Sequence, residues 1–181
     1  AAKQVSLTEL GSIKINKEER TKMYKTIPRS SIIGFLIGVL PGAGATIASF
    51  LAYGMERNVV SDEEKEKFGK GSVNGLSAPE TANNAACSGS FVPMLTLGIP
   101  GSGTTAVMLG ALLGFGVQPG PRLYMTNPEI FWSIIMSMYI GMVILLILNL
   151  PLIPYIARIL AVPKNYLIPL ILFFSITGIY V

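Results

Sequence analysis

Hydrophobic and polar positions along this chain fall into long blocks and do not alternate residue by residue. Residues 1–29 are polar and basic, and the first apolar block, Ser30–Met55, carries no charge. A charged stretch, Glu56–Gly75, separates it from a second apolar block, Ala78–Gly116. Glu129–Leu150 and a run from Asn165 onward are apolar again. A bilayer core about 30 Å thick takes about 20 residues of helix, and two of the charge-free windows could span it with residues to spare. The pattern predicts an all-α polytopic membrane protein. Both long early blocks are interrupted, at Pro41-Gly42-Ala43-Gly44 and at Pro100-Gly101-Ser102-Gly103, which predicts broken or re-entrant helices with Pro-Gly tips. Glu129–Leu150 is uninterrupted and predicts a spanning helix, with Trp132 near one end as an interfacial anchor. Residues 117–127 read as a turn-rich loop, residues 151–164 as a turn plus a short interfacial stretch, and a last helix begins near Asn165. Within the charged stretch, Ser61 with Glu64 three residues on signals a capping box and a short surface helix.

These blocks group into a polar, basic and partly helical connector over 1–29, a transport-site region over 30–116, and spanning helices over 117–181. Whether Ser30–Met55 is a re-entrant hairpin or a broken span depends on which side residues 56–75 lie. That stretch mixes four basic with five acidic residues and leaves both open. Two basic residues in Arg158–Lys164, against one in 117–127, place the former on the cytoplasmic side. Both ends of the chain read as cut from a longer one.

Composition sharpens the class. The chain is 51% hydrophobic and 13% charged, with a mean hydropathy of +0.57, against about 25% charged residues in globular proteins. Its net charge of +4 does not point to nucleic acid. Lys3, Lys14, Lys17, Arg20, Lys22, Lys25 and Arg29 precede the first apolar block, as a cytoplasmic flank does, with only Tyr24 among them to stack on a base. One cysteine, Cys87, allows no internal disulfide and no cysteine metal cluster. The absence of histidine removes Ser–His and His-metal chemistry, and the one aspartate, Asp62, cannot form an aspartyl dyad. An intramembrane enzyme is therefore the least favoured class. A channel or a structural membrane subunit remains as an alternative.

The two breaks are copies of one motif. Leu40-Pro41-Gly42-Ala43-Gly44-Ala45-Thr46 recurs as Ile99-Pro100-Gly101-Ser102-Gly103-Thr104-Thr105, offset by 59 residues (100 − 41). A Gly-x-x-x-Gly spacing accompanies each, Gly34/Gly38 and Gly110/Gly114, and permits close helix approach in lipid. Backbone groups freed by a break cost several kcal/mol each in lipid unless protein or a wet cavity receives them. Matched breaks are therefore a pointer to a midplane site in secondary transporters, where half-helix N-termini face an anion and unwound carbonyls hold a cation. The candidate substrate-binding residues are Pro41, Gly42, Gly44, Thr46, Pro100, Gly101, Ser102, Gly103, Thr104 and Thr105. Ahead of the second break, Glu80, Asn83, Asn84, Cys87 and Ser88 share a helical face. Asn83 and Asn84 join the substrate set. Gly42, Thr46, Asn84, Gly101 and Thr105 are the candidate ion ligands, for Na⁺ and not a transition metal. Gly101-Ser102-Gly103-Thr104-Thr105-Ala106 fits a dinucleotide fingerprint in letters only, because the next acid is Glu129, too far on.

Three segments together resemble a known family. Gly38–Thr46, Ala78-Pro79-Glu80-Thr81-Ala82-Asn83-Asn84-Ala85 and Leu97–Thr105 look like the tripartite tricarboxylate transporter permease family, the TctA-type large membrane subunit. Gln118-Pro119-Gly120-Pro121 and Asn149-Leu150-Pro151 fit as well. The resemblance covers nearly everything from Arg29 onward and matches the C-terminal half of such a subunit, roughly a third of the whole. It implies a multi-pass permease of the bacterial cytoplasmic (inner) membrane, working with a small membrane subunit and a periplasmic solute-binding protein. It implies import of carboxylates such as citrate, commonly driven by Na⁺ or another ion gradient, with no organic cofactor. The substrate and ion site would lie at the two Pro-Gly tips.

Overall fold

The computed structural model describes residues 15–157 and 164–180. Among them every regular element is a helix: α1 (Lys17–Val39), α2 (Gly44–Val59), α3 (Asp62–Lys65), α4 (Val73–Gly89), α5 (Phe91–Leu97), α6 (Gly103–Gly114), α7 (Leu123–Thr126), α8 (Pro128–Ala157) and α9 (Lys164–Tyr180). This is the architecture of an all-α membrane protein. One compact unit comprises Ile15–Ser133, and Ile134 onward belongs to a second.

The first unit is built on a helical hairpin. α1 starts at a capping box, in which Asn16 Oδ1 accepts from the Glu19 amide and Glu19 Oε2 accepts from the Asn16 amide, each at 2.8 Å. It runs through Pro28 and stops at Leu40, because the following proline disfavours helical backbone at the residue before it. The chain then turns on Gly42 (φ +80°) and Gly44 (φ +68°), a backbone region open to glycine, and returns as α2. At the foot of the hairpin the Arg29 guanidinium lies 2.7 Å from Glu56 Oε1. The two ends of Ser30–Met55 therefore meet, and the segment is a hairpin and not a broken span.

α4 lies against both arms of the hairpin, and small residues at every fourth position allow it. The buried line is Thr26, Ser30, Gly34 and Gly38 on α1, and Ala48, Ala52 and Glu56 on α2. On α4 it is Asn74, Ala78, Ala82 and Ala86. A Cβ added to Gly34 would lie 2.3 Å from the Ala82 carbonyl oxygen, and one added to Gly38 the same distance from that of Ala86. Backbone meets backbone here, the close approach that a Gly-x-x-x-Gly spacing permits.

The polar foot is tied by two buried carboxylates. Glu56, fully buried, accepts from Arg29, from the Thr26 hydroxyl at 2.7 Å and from Asn74 Nδ2 at 3.2 Å. Glu64 accepts from Lys22 at 3.1 Å, the Ser72 hydroxyl at 2.9 Å and Lys67 at 3.4 Å. Burial disfavours the Glu64 charge, yet the hydrogen bonds from Lys22 and Ser72 outweigh it and hold this carboxyl below its ordinary range. The hydrogen bonds of Lys22 to Glu18 and Glu64 raise the lysine in turn. The expected Ser61–Glu64 capping box is consequently not formed. Ser61 does stand at the N-cap of α3, but its side chain makes no capping bond, because Glu64 is committed to α1 and to the start of α4.

Three element boundaries differ from expectation. The partly helical connector has no boundary at Ser30: its helix starts at Lys17 and runs on into the apolar arm. α4 begins at Val73, capped by Ser72 Oγ on the Gly75 amide at 3.0 Å, and the second apolar block breaks at Ser90 as well as at the Pro-Gly motif. α8 continues past Pro151 to Ala157 where a turn was expected, a tolerance for internal proline that membrane helices show. Pro128–Ile153 is long and apolar enough to cross a membrane, with a mean hydropathy of 2.4. The polar connector's residues 1–14 and the Arg158–Pro163 part of the expected cytoplasmic stretch lie outside the described residues.

Candidate functional site

The second break is shaped by its own local chemistry. α5 ends at Gly98 (φ +70°), whose amide donates to the Met94 carbonyl at 3.1 Å, while the Ile99 amide donates to Pro93 at 3.2 Å. The turn at residues 117–121 closes over this end. The Gly120 amide donates to the Leu95 carbonyl at 3.1 Å, and a Cβ on Gly98 would stand 2.9 Å from the Pro119 oxygen. The chain then extends through Pro100 to Ser102, where a capping box starts α6. The Thr105 amide donates to Ser102 Oγ at 3.2 Å, and the Ser102 amide donates to Thr105 Oγ1 at 2.8 Å.

The fold brings the two breaks together. Gly101 packs on the end of α4 and the top of α1: a Cβ there would lie 2.9 Å from Ser90 Cβ and 3.4 Å from the Gly38 oxygen. Both tips line one pocket of about 620 Å³, within the range of small-molecule sites. From the first break come Gly42, Gly44, Ala45 and Thr46; from the second, Pro100 through Ala106; Cys87, Ser90 and Phe91 close the wall between them. No charged side chain lines this pocket.

Its electrostatics come from backbone. α2 begins without a side-chain cap, so its first amides have no acceptor among the described residues. α6 is capped only at Thr105, which leaves the Gly103 and Thr104 amides similarly unengaged. Each helix start carries about half a positive charge. The arrangement can hold a negatively charged group between two helix N-termini, with the exposed hydroxyls of Thr46 and Thr104 beside it.

Of the residues singled out from sequence, the pocket gathers Gly42, Gly44, Thr46, Pro100, Gly101, Ser102, Gly103, Thr104 and Thr105. Thr105, however, is buried and spends its hydroxyl on the Ser102 cap and the Ser102 carbonyl. Pro41, Asn83 and Asn84 are not in the lining. Pro41 is exposed on the turn. Asn83 is wedged toward α2, its Nδ2 3.4 Å from Ser49 Oγ, and Asn84 Nδ2 donates back to the Glu80 carbonyl at 2.9 Å. Ala45, Cys87, Ser90, Phe91 and Ala106 join the wall without having been singled out as binding residues. Only Cys87 carried a sequence signal, as part of the polar face before the second break.

A family model, the tripartite tricarboxylate transporter TctA family, matches residues 1–181, which bears out the resemblance and extends it over the N-terminal segment. Two relatives from Agrobacterium vitis are similar along most of the chain. One, described as "Uncharacterized 52.8 kDa protein in TAR-I ttuC' 3'region", is 40% identical over 98% of this chain and 35% of its own length. The other, "Uncharacterized protein in TAR-II ttuC' 3'region", is 45% identical over 81% of this chain and 60% of its own. The chain thus spans about a third of the first relative and less than two thirds of the second. No solved structure matches it.

Proposed function

The chain belongs to the tripartite tricarboxylate transporter TctA family, and we propose that it forms the substrate-holding part of a permease that imports carboxylates across the bacterial cytoplasmic membrane. The observation that carries this reading is the single pocket lined by two copies of one Pro-Gly motif set 59 residues apart (100 − 41). A carboxylate dianion or trianion docks against the first amides of α2 and α6 and the hydroxyls of Thr46 and Thr104. Two helix starts supply about one positive charge between them, so part of the substrate charge is left over. A co-bound Na⁺, held by backbone carbonyls of the unwound tips, offsets the remainder and couples uptake to the ion gradient.

Hairpin length suits this role. Ser30–Val39 rises about 15 Å at 1.5 Å per residue, half of a hydrocarbon core about 30 Å thick. With its polar foot at one membrane face, the tip reaches the midplane. A periplasmic solute-binding protein delivers the carboxylate, a small membrane subunit completes the assembly, and rigid-body movement of the site region changes its exposure.

The test is uptake of a labelled carboxylate panel, citrate included, by vesicles holding the complete permease with its partner subunits, with and without a Na⁺ gradient. Thr46→Ala and Thr104→Ala run in parallel. Saturable, gradient-dependent uptake that falls in both variants is expected. Non-saturable flux would make the protein a channel, uptake of no carboxylate would sink the substrate class, and unimpaired variants would move the site elsewhere.

A further inference from the structure

The three long helices of the first unit do not present the same kind of surface. α1 exposes Ile32 and Leu36, and α2 exposes Phe50 and Leu51, all large and apolar. α4 is different. Beyond Leu76 its exposed line is Glu80, Asn84 and Cys87, at the four- and three-residue spacing of one helical face. Asn84 keeps its Nδ2 on the Glu80 carbonyl, which leaves its Oδ1 without a donor among the described residues. The Glu80 carboxylate has no ion-pair partner there either; the acids that do, Glu18, Glu56 and Glu64, all sit at the foot.

This polar line has a direction. α4 starts beside the charged foot, where Asn74 bonds Thr26 and Glu56, and ends at Ser90 against Gly101 of the second tip. Cys87, its last member, already lines the tip pocket. From Glu80 to Cys87 the helix climbs about 10 Å at 1.5 Å per residue. An ionised carboxylate facing hydrocarbon is costly, and intramembrane acids accordingly face protein or a water-filled cavity. Continuity with the pocket selects the cavity.

We propose that the Glu80–Asn84–Cys87 face of α4 lines the aqueous passage joining the tip pocket to the membrane side on which the charged foot stands. The inference rests on the transporter reading for its purpose, but it makes a separate physical claim: this face meets water and the outer faces of α1 and α2 do not. It also assigns Glu80 a place in the permeation path, distinct from the ligands of the pocket itself.

The experiment is cysteine accessibility in the complete permease, in membranes, with one introduced cysteine per variant in a background where every native cysteine, Cys87 included, is replaced by alanine. The positions are Glu80→Cys and Asn84→Cys on the line, with Ile32→Cys and Phe50→Cys as apolar references. The probe is a membrane-impermeant, charged methanethiosulfonate applied separately to each vesicle face, and insertion is checked by size-exclusion of the extracted protein. The thiolate is the reacting form, and apolar surroundings suppress it, so the line positions should react about tenfold or more faster than the references. They should do so from the foot side. Equal, slow rates at all four positions, or labelling only after detergent, would overturn the passage. Uptake measured on the unsubstituted protein separates the two claims: slow labelling with normal uptake ends the passage alone, and rapid labelling without carboxylate uptake ends the substrate assignment alone.

Discussion

Replacing Gly38 by alanine tests how the hairpin holds the pocket. The added Cβ would stand 2.3 Å from the Ala86 carbonyl oxygen and 2.6 Å from the Ala86 Cα. An ordinary carbon–oxygen contact is about 3.3 Å, so α1 and α4 must part by about 1 Å (3.3 − 2.3). Both obstructing atoms are backbone, which cannot rotate away as a side chain can. Overpacking of this kind costs about 1–3 kcal/mol, and the rigid partner puts Gly38→Ala at the upper end. The same shift reaches the pocket, because the Gly38 oxygen faces Gly101 of the second tip. The assay is thermal unfolding of the purified permease in detergent, paired with vesicle uptake. A lowered midpoint and weakened substrate uptake are expected together. Gly110→Ala, where a Cβ meets nothing within 4 Å, serves as the reference and should leave the midpoint level or slightly raised. A Gly38→Ala protein as stable and active as Gly110→Ala would refute the packing argument.

Four further outcomes are expected. Arg29→Met takes the cation from the buried Glu56, which keeps its bonds from Thr26 and Asn74, and should cost about 1–3 kcal/mol of stability, with Glu56→Gln in the same chain restoring part of it; equal midpoints for all three proteins would show the pair to be idle. Because the folded-state pKa of Glu64 is depressed, its contribution is complete above the ordinary carboxylate range and is lost as pH falls through the lower folded value. The unfolding midpoint of the wild type should therefore drop in acid more steeply than that of Glu64→Gln. In a permease whose other cysteines are replaced by alanine, N-ethylmaleimide should block uptake by alkylating Cys87 in the pocket wall, excess carboxylate should protect against it, and adding Cys87→Ala should abolish the sensitivity. Thr105→Val removes the α6 capping box and should cost about 1 kcal/mol, visible in the midpoint even where Thr104→Ala changes uptake alone.

The sequence by itself determined the class. Blocks of apolar residues too long and too free of charge for a soluble core pointed to membrane helices, and the repeat of Leu/Ile-Pro-Gly-x-Gly marked both tips. Proline and glycine act locally, through their own backbone restrictions, which is why those turns were legible. What the tertiary structure decided is everything that depends on which helix stands beside which. Charge counting left Ser30–Met55 open between hairpin and span; the contacts of Arg29 and Thr26 with Glu56, each 2.7 Å, close it as a hairpin. Glu64 carried a local capping signal, yet it answers to Lys22, Lys67 and Ser72, because charge pairing across a buried foot outweighs one surface cap. Thr104 and Thr105 look equivalent in sequence, but one is exposed at the pocket and the other is spent on its own helix start. Asn83 and Asn84 read as one polar face in the sequence, but Asn83 turns toward Ser49 on α2, Asn84 stays exposed, and neither reaches the pocket lining. Helical periodicity reports direction around an axis, and only packing against the second tip fixes where along that axis the pocket begins.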